Sequence, residues 1–306
     1  MTDFWYKIST APLRLLARLP LGVLYLLADV LYFMLCHVVR YRRRTIADNL
    51  RQCFPDYDDV RIEETVRQFY RNFADNAVET IKLLHISDGE MMRRMTFAGV
   101  EEIDNLLLEG KSVVAYFSHC FNWEWAPSFT LWCHPFGGVA GAESRKVEFC
   151  QIYRPLRNGW FDRLMLEVRS RFHSVSIAKQ HTLRALLDYR REEVLSVTGF
   201  MSDQKPSHGD PTYVTTFLNR PTAMITGTET LGRRLGMAAV YWDTEKTSRG
   251  HYRITVRVIS PDMSATSPME VTERYTRLLE QTIRRNPALW LWSHKRWKIP
   301  VTPRQN

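Results

Sequence analysis

The chain has 306 residues, of which 45% are hydrophobic and 25% are charged. These proportions are ordinary for a globular protein, and they exclude a collagen-like chain, general disorder and a polytopic membrane bundle. Lysine and arginine exceed aspartate and glutamate by 42 − 33 = 9, so nucleic acid, an anionic membrane surface and an anionic substrate all remain candidate partners. The nine tryptophans favour contact with a lipid interface.

The cysteines are odd in number and scattered along the chain. They are Cys36, Cys53, Cys120, Cys133 and Cys150. No C-x-x-C pair occurs, so the sequence predicts neither a zinc cluster nor a disulfide framework. We expect buried, reduced thiols in a protein that faces the cytoplasm.

An apolar stretch near the start of the chain is followed by a basic cluster. Residues 21–39 are apolar except for Asp29 and His37, and a helix of this length reaches about 28 Å, roughly one hydrocarbon thickness. The basic residues at 40–44 mark the cytoplasmic side, but Asp29 makes a full span costly. A helix lying in the interface is equally compatible, and a buried helix or a signal peptide is the alternative. We predict a membrane-associated helical segment over residues 1–44.

The remainder of the chain alternates between short apolar runs and helical patterns. Buried-strand patterns occur at 112–117, 138–141, 194–197, 238–242 and 252–259. Apolar residues recur at helical spacing at 60–84, 161–171, 181–190, 224–235 and 271–283. This alternation predicts an α/β fold in which a mixed sheet is flanked by helices on both sides, as a single domain over residues 45–306.

The segment most informative about chemistry is 117–124, where a buried strand ends and a polar loop begins. Chemistry in open α/β sheets sits beyond the carboxyl ends of strands. His119 and Glu124 are five residues apart, so they can meet only if His119 lies in the loop and Glu124 in the first turn of the next helix. Glu124 would then accept a hydrogen bond from one ring nitrogen, and the other nitrogen would be a general base for a hydroxyl group.

By spacing alone this pair is a weak signal, because a histidine and a glutamate at a loop–helix junction are often structural. Cys120 is a poor nucleophile candidate, since a reactive thiolate needs an electropositive setting. The same base could also activate water, although no G-x-S-x-G motif accompanies it.

Several blocks of the sequence resemble one known family. Residues 118–124, S-H-C-F-N-W-E, resemble the H-x4-D/E signature of the lysophospholipid and glycerolipid acyltransferase superfamily, in the form found in bacterial lipid A biosynthesis (late) acyltransferases. Further blocks resemble that family in order along most of the chain: R-Y-R-R at 40–43, N-L at 49–50, F-P at 54–55, Y-R-P at 153–155, D-Q-x-P at 203–206, F-x-N-x-P at 217–221 and W-x-H-x-R-W-K at 292–298. The family often has a glycine at the position of Cys120 or Phe121, and another at the position of Asn219. This chain has no glycine at these positions.

The resemblance implies transfer of a fatty acyl group from a thioester to a lipid hydroxyl. His119 would remove the proton of the hydroxyl, and Glu124 would orient His119 and stabilise its cation. Arg154 is the first candidate for the oxyanion or for an acceptor phosphate. The other candidate substrate-binding or oxyanion residues are Asn122, Arg169, Asp203 and Gln204. Asp203 would bind Arg154 or a substrate hydroxyl. Arg169 would bind an anionic headgroup or the acidic carrier of the acyl donor.

The resemblance also implies partners and a location. They are acyl carrier protein as the donor carrier, a lipid A precursor as the acceptor, and the cell inner membrane with the catalytic domain facing the cytoplasm. Neither a metal nor a cofactor is required. We expect an apolar groove for the acyl chain between the sheet and the N-terminal helices, and a lipid interface at 292–298. The alternatives are another lipid acceptor (a lysophospholipid, an aminolipid or a glycolipid) and a non-enzymatic basic binding module.

Overall fold

The structure, a computed structural model, describes residues 3–134, 146–207 and 209–297. Its helices are α1 (Asp3–Arg18), α2 (Leu21–Phe33), α3 (Arg43–Cys53), α4 (Asp59–Lys82), α5 (Asp88–Arg94), α6 (Val100–Leu108), α7 (Gly159–Arg169), α8 (Thr182–Arg191), α9 (Gly227–Leu235) and α10 (Glu270–Arg285). Its strands are β1 (Met95–Ala98), β2 (Val113–Phe117), β3 (Val147–Tyr153), β4 (Val175–Ala178), β5 (Leu195–Met201), β6 (Thr212–Phe217), β7 (Arg220–Ile225), β8 (Ala238–Ser248) and β9 (His251–Ser260). The predicted strand at 138–141 and Lys298 lie outside the described residues.

Seven strands form one mixed sheet in the order β1-β9-β8-β2-β5-β3-β4. The pair β8–β9 is antiparallel, and the other neighbours are parallel. Every residue of β2 is buried, as its continuous apolar sequence V-V-A-Y-F predicts for a central strand. Because β2, β5 and β3 run parallel, their carboxyl ends meet at one edge of the sheet, and the loops leaving them lie together.

Helices cover both faces of this sheet, which confirms the predicted fold class. Alternate residues of β2 point to opposite faces, so Val113 and Ala115 belong to one apolar core and Val114 and Tyr116 to the other. The first core includes residues of α2, α4, α5 and α6. The second includes residues of α3, α4 and α10.

The longest helical patterns are confirmed almost residue for residue. The pattern at 60–84 is α4, and the pattern at 271–283 is α10. The pattern that begins at residue 224 forms a helix only from Gly227, because residues up to Ile225 pair in the antiparallel hairpin β6–β7. The predicted strands did not include β1, β3 and β4, because the apolar residues of these strands are few or interrupted by polar ones.

The N-terminal segment forms two helices, separated by a break at Leu19–Pro20, and both pack on α4. The second helix, α2, continues in a π-helical turn at Met34–Val38. Within the part of the chain that the structure describes, Leu21–Val38 is the one helix long and apolar enough to cross a membrane, judged by length and composition.

Candidate active site

A histidine and a buried aspartate meet at the carboxyl edge of the sheet. His119 lies in the loop after β2, and Asp203 follows β5, the parallel neighbour of β2. Nδ1 of His119 lies 2.7 Å from Oδ1 of Asp203, and the backbone N–H of His119 donates to Oδ2 at 3.0 Å. The two loops are therefore fixed to each other by two hydrogen bonds to one carboxylate.

The surroundings of Asp203 keep its carboxyl group ionised. Burial by itself would raise the pKa of Asp203, but the charge and hydrogen bonds of His119, together with a hydrogen bond from Trp290 Nε1 at 2.8 Å, hold this pKa below its ordinary value. An ionised Asp203 accepts the proton of Nδ1, so Nε2 of His119 is the nitrogen that can accept a proton from a substrate. The His119 side chain is 17% exposed and lines a cleft.

The structure corrects the predicted partner of His119. Glu124 does lie in the first turn of the next helix, a 3₁₀-helix at Trp123–Leu131. Its carboxylate, however, accepts two hydrogen bonds from Arg169, from Nε at 2.9 Å and from Nη2 at 2.7 Å. The predicted hydrogen bond from His119 to Glu124 is thus replaced by one to Asp203, and Asp203 is not the predicted partner of Arg154 or of a substrate hydroxyl.

This arrangement also alters the role predicted for Arg169. Burial would lower the pKa of its guanidinium, but the hydrogen bonds and charge of Glu124 raise that pKa above its ordinary value. The geometry is a bidentate pair of largely buried groups. Arg169 is therefore held by a protein carboxylate at the cleft wall, where we had expected it to be available for an anionic headgroup.

Asn122 is a buried residue of the loop that follows β2, and its burial corrects its predicted contact with substrate. Its side-chain oxygen accepts from the backbone N–H of Glu124 at 3.1 Å and so caps the helix. Its Nδ2 donates to Oε2 of Glu79 at 3.0 Å. Glu79 is fully buried and also accepts from Tyr25 and Tyr252, both at 2.9 Å. Glu79 could have been noticed in the sequence, because it places a carboxylate among the apolar residues on the buried face of α4.

The described part of the predicted lipid interface, residues 292–297, together with Leu291, instead contacts the two loops of the site, which corrects that prediction for these residues. Trp292 and Arg296 are buried. Arg296 donates to the backbone oxygen of Asp203 at 2.9 Å, and the N–H of Leu291 donates to the backbone oxygen of His119 at 3.1 Å. These hydrogen bonds therefore fix the loop of His119 and the loop of Asp203 on the side away from the cleft.

Cys120 has the properties of a structural thiol. It is buried, and burial raises its pKa to about 12. At neutral pH such a thiol is protonated and is a weak nucleophile. Among the residues that the structure describes, no group of three or more histidine, cysteine, aspartate or glutamate side chains is placed to hold a metal ion.

The cleft in front of His119 has a volume of about 610 Å³. Its apolar lining comes from Ile152, Leu156, Leu183, Phe200, Met201 and Leu231, and its cations are Arg154, Arg169, Lys179, Lys205 and Arg234. Gln204 also lines it. The apolar surface is thus supplied by the sheet edge, α8, α9 and the β3–α7 loop, whereas we had expected a groove between the sheet and the N-terminal helices.

A histidine base held by a buried carboxylate, above a cleft with apolar and cationic walls, suits the transfer of an acyl group to a lipid hydroxyl. The model of the bacterial lipid A biosynthesis acyltransferase family matches residues 2–299, nearly the whole sequence, and the chain belongs to this family. A relative from Haemophilus influenzae (strain ATCC 51907 / DSM 11121 / KW20 / Rd), described as a lipid A biosynthesis acyltransferase, is 23% identical over 180 residues. These residues are 59% of this chain and 53% of the relative, so the match covers about half of the relative's length.

We predict a strong energetic coupling between Glu124 and Arg169. The variant Glu124→Gln leaves the guanidinium without its charged partner in a largely buried place, and it should lower the free energy of unfolding by about 2 kcal/mol. The variant Arg169→Gln should cost a similar amount, and the double variant should cost far less than the sum. Urea unfolding of the four proteins measures this cycle.

The matched control for this cycle is the pair Arg184–Asp188, which is exposed and 3.9 Å apart on α8. A double-mutant cycle there should give a coupling near zero, because exposed ion pairs contribute little. Additive effects at Glu124 and Arg169 would contradict the pairing seen in the structure.

Proposed function

We propose that the protein is a membrane-associated O-acyltransferase that moves a fatty acyl chain from acyl carrier protein to a hydroxyl of a lipid A precursor. The observation that carries the proposal is the hydrogen bond from Nδ1 of His119 to the buried carboxylate of Asp203, at the mouth of a cleft with apolar and cationic walls. Membership of the lipid A biosynthesis acyltransferase family supports the choice of acceptor.

In this mechanism Nε2 of His119 removes the proton of the acceptor hydroxyl. The oxygen attacks the thioester carbonyl, and a carbon–oxygen bond forms. The resulting tetrahedral oxyanion collapses with cleavage of the carbon–sulfur bond, and the leaving thiolate takes the proton from the His119 imidazolium. Asp203 stabilises the imidazolium and keeps the ring oriented throughout.

Arg154 is the proposed contact for developing negative charge or for a phosphate of the acceptor. Arg154 lines the cleft near Asp210. Burial by itself would raise the pKa of Asp210, but hydrogen bonds from Lys179 and the backbone of Ser207, with the charges of Lys179 and Arg154, hold this pKa below its ordinary value. Lys179 lies 2.7 Å from Asp210 and Lys205 lines the same cleft, so this side of the cavity concentrates cations. Guanidinium groups match phosphate oxygens in geometry, which favours a phosphorylated acceptor. Gln204 is a further proposed donor.

The positive net charge supports an acidic donor carrier and an anionic membrane surface. We therefore propose acyl carrier protein as partner and the cytoplasmic face of the inner membrane as location. Residues 1–44 would serve as the membrane-associated segment, and residues 45–306 would form the acyltransferase domain.

The test supplies radiolabelled acyl–acyl carrier protein and a mixed pool of lipid acceptors to membranes that contain the chain. We expect labelled lipid whose mass is that of an acylated lipid A precursor. Labelled product of another mass would move the acceptor to a lysophospholipid, an aminolipid or a glycolipid. Label found as free fatty acid would indicate hydrolysis, and no label in any product would overturn the proposal.

A further inference from the structure

Helices α1 and α2 present a large apolar surface away from the rest of the protein. The exposed apolar residues of the second helix and its π-helical turn are Val23, Leu26, Leu27, Val30, Phe33, Met34 and Val38. Their spacing of three and four residues places them along one side of the helix. On α1, Phe4, Trp5, Ile8 and Leu15 are also exposed. An apolar surface of this size marks a contact with a membrane or another protein.

The opposite side of α2 is fixed to the catalytic domain. Leu24 and Ala28 are buried against α4 in the same core as the sheet. In the middle of the apolar segment, Asp29 forms an ion pair with Arg249 at 2.7 Å, and Arg249 pairs at the same distance with the buried Asp75 of α4. One side of α2 therefore contacts the protein, and Asp29, near the middle of the helix, makes a charged contact there.

The turn between the two helices is fixed as well. Nζ of Lys82, at the end of α4, donates to the backbone oxygens of Ala17 and Leu19 at 3.1 and 3.0 Å. On α1, Tyr6 donates to Glu167 of α7 at 2.7 Å. Both helices, and the break between them, are therefore attached to the rest of the domain.

This attachment is incompatible with a bilayer-spanning α2. A spanning helix would have to leave α4, separate Asp29 from Arg249 and bring the carboxylate of Asp29 to the centre of the hydrocarbon. If α4 moved with the helix, Asp75 and Lys82 would enter the hydrocarbon too. Charged groups at such depth are costly, whereas the docked position satisfies all of them.

We propose that α1 and α2 lie in the plane of a single leaflet of an anionic bilayer, with their exposed apolar side in the hydrocarbon and both ends of the two-helix segment on the same side of the membrane. This inference rests on the membrane association proposed above and specifies its geometry. Four exposed cations lie on α1 or directly after α2 in the sequence and match anionic headgroups: Lys7, Arg18, Arg40 and Arg44.

The in-plane position also gives the acceptor a route to His119. Leu156 is exposed and lines the cleft, and Phe161 is exposed on the first turns of α7. Trp160, beside Phe161, donates to Ser9 of α1 at 2.7 Å. The apolar surface of α1 thus continues through the start of α7 to the cleft mouth, so a lipid acceptor reaches the cleft from within the leaflet.

Thiol labelling of the full chain in bacterial membranes tests this geometry. The five native cysteines are buried, so the unchanged chain is the blank. We would place a single new thiol before α2 in Lys7→Cys and after it in Arg44→Cys, and confirm that both react in detergent. An impermeant maleimide should label both variants in inverted vesicles and neither in spheroplasts. Labelling of the two positions from opposite sides would overturn the proposal in favour of a spanning helix.

Fractionation separates failure of this inference from failure of membrane association. Recovery of the chain in the soluble fraction at low salt would overturn membrane association and the in-plane geometry together. Recovery in the membrane with opposite-side labelling would overturn the geometry alone.

A pair of matched valines tests which surface contacts lipid. Val30 and Val60 are 63% and 67% exposed, but Val30 lies on the apolar side of α2 and Val60 at the start of α4. With vesicles of phosphatidylglycerol and phosphatidylcholine, Val30→Glu should lower the bound fraction at least about fivefold. Val60→Glu should bind like the unchanged chain. Equal binding of the two variants would overturn the assignment of this surface to lipid.

Discussion

Replacement of His119 by alanine is expected to lower acyl transfer by about 10³-fold, within the range typical for the loss of a general base. The imidazole has Nδ1 hydrogen-bonded to Asp203, lines the cleft, and lies in the loop that leaves the central strand. In the proposed mechanism, removal of this ring leaves the acceptor hydroxyl without a proton acceptor at the thioester. The cleft walls remain, so binding of donor and acceptor should change far less than the rate constant.

The measurement is the initial rate of labelled lipid formation on membranes with equal amounts of unchanged and variant chain. His85→Ala is the matched control, because His85 is exposed and is not among the residues that line the cleft. This control should retain full activity. Activity of His119→Ala within tenfold of the unchanged chain would show that the ring is structural and that another group removes the proton.

The fold could be predicted because its central elements have unambiguous sequence patterns. Residues 113–117 and 238–242 are fully buried and continuously apolar, and the stripe of α4 repeats over six turns of helix. The shorter strands were missed because their burial depends on neighbours distant in sequence. β3, for example, reads V-E-F-C-Q-I-Y, in which Glu148 and Gln151 interrupt the apolar run.

The position of His119 could be predicted from its motif, but its partner could not. Glu124 is the nearest carboxylate in sequence, whereas Asp203 is 84 residues away. The two loops meet because β2 and β5 are neighbouring parallel strands, and strand order is a tertiary property that spacing does not determine. The blocks at 203–206 and 292–298 were visible in the sequence. The hydrogen bond from Trp290, just before the second block, to Asp203 could be identified only from the fold.

The tryptophan count was a poor guide to the membrane surface. Trp125, Trp242 and Trp292 are buried core residues, and Trp290 holds the carboxylate of Asp203. Of the nine tryptophans, all within the described residues, Trp5 alone is exposed. Composition counts residue types but carries no information about which face of an element they occupy, so the proposed lipid surface rests on the exposure of apolar residues on α1 and α2.

Asp203→Asn should lower activity by about 10³-fold as well, through the orientation and tautomer of His119. An asparagine amide can donate a hydrogen bond to Nδ1, which places the ring proton on Nε2 and removes the lone pair that accepts the substrate proton. The loss should appear in kcat with little change in KM, because Asp203 is buried behind His119 and not among the residues that line the cleft. A loss confined to KM would contradict this role.

The same variant has a defined effect on stability as a function of pH. The pKa of Asp203 is depressed in the folded protein relative to the unfolded chain, so its ionised form stabilises the fold at neutral pH. This contribution is complete above the unfolded value of about 3.9 and is lost as pH falls through the lower folded pKa. Urea unfolding should therefore show a difference between the unchanged chain and Asp203→Asn that is large at pH 7 and shrinks below about pH 4. A difference independent of pH would mean that Asp203 contributes by packing and hydrogen bonding alone.

A second buried aspartate, Asp243, provides a control that distinguishes a loss of catalysis from a loss of stability. Asp243 pairs with Arg257 and Arg285 at 2.8 and 2.5 Å, and its pKa is also depressed: burial would raise it, but the hydrogen bonds and charges of its partners prevail. Asp243→Asn should lower the free energy of unfolding at neutral pH to a similar degree, yet the remaining folded protein should retain its activity per molecule. If Asp243→Asn abolished activity as completely as Asp203→Asn, the loss at Asp203 would reflect damage to the fold and not the loss of the carboxylate that holds His119.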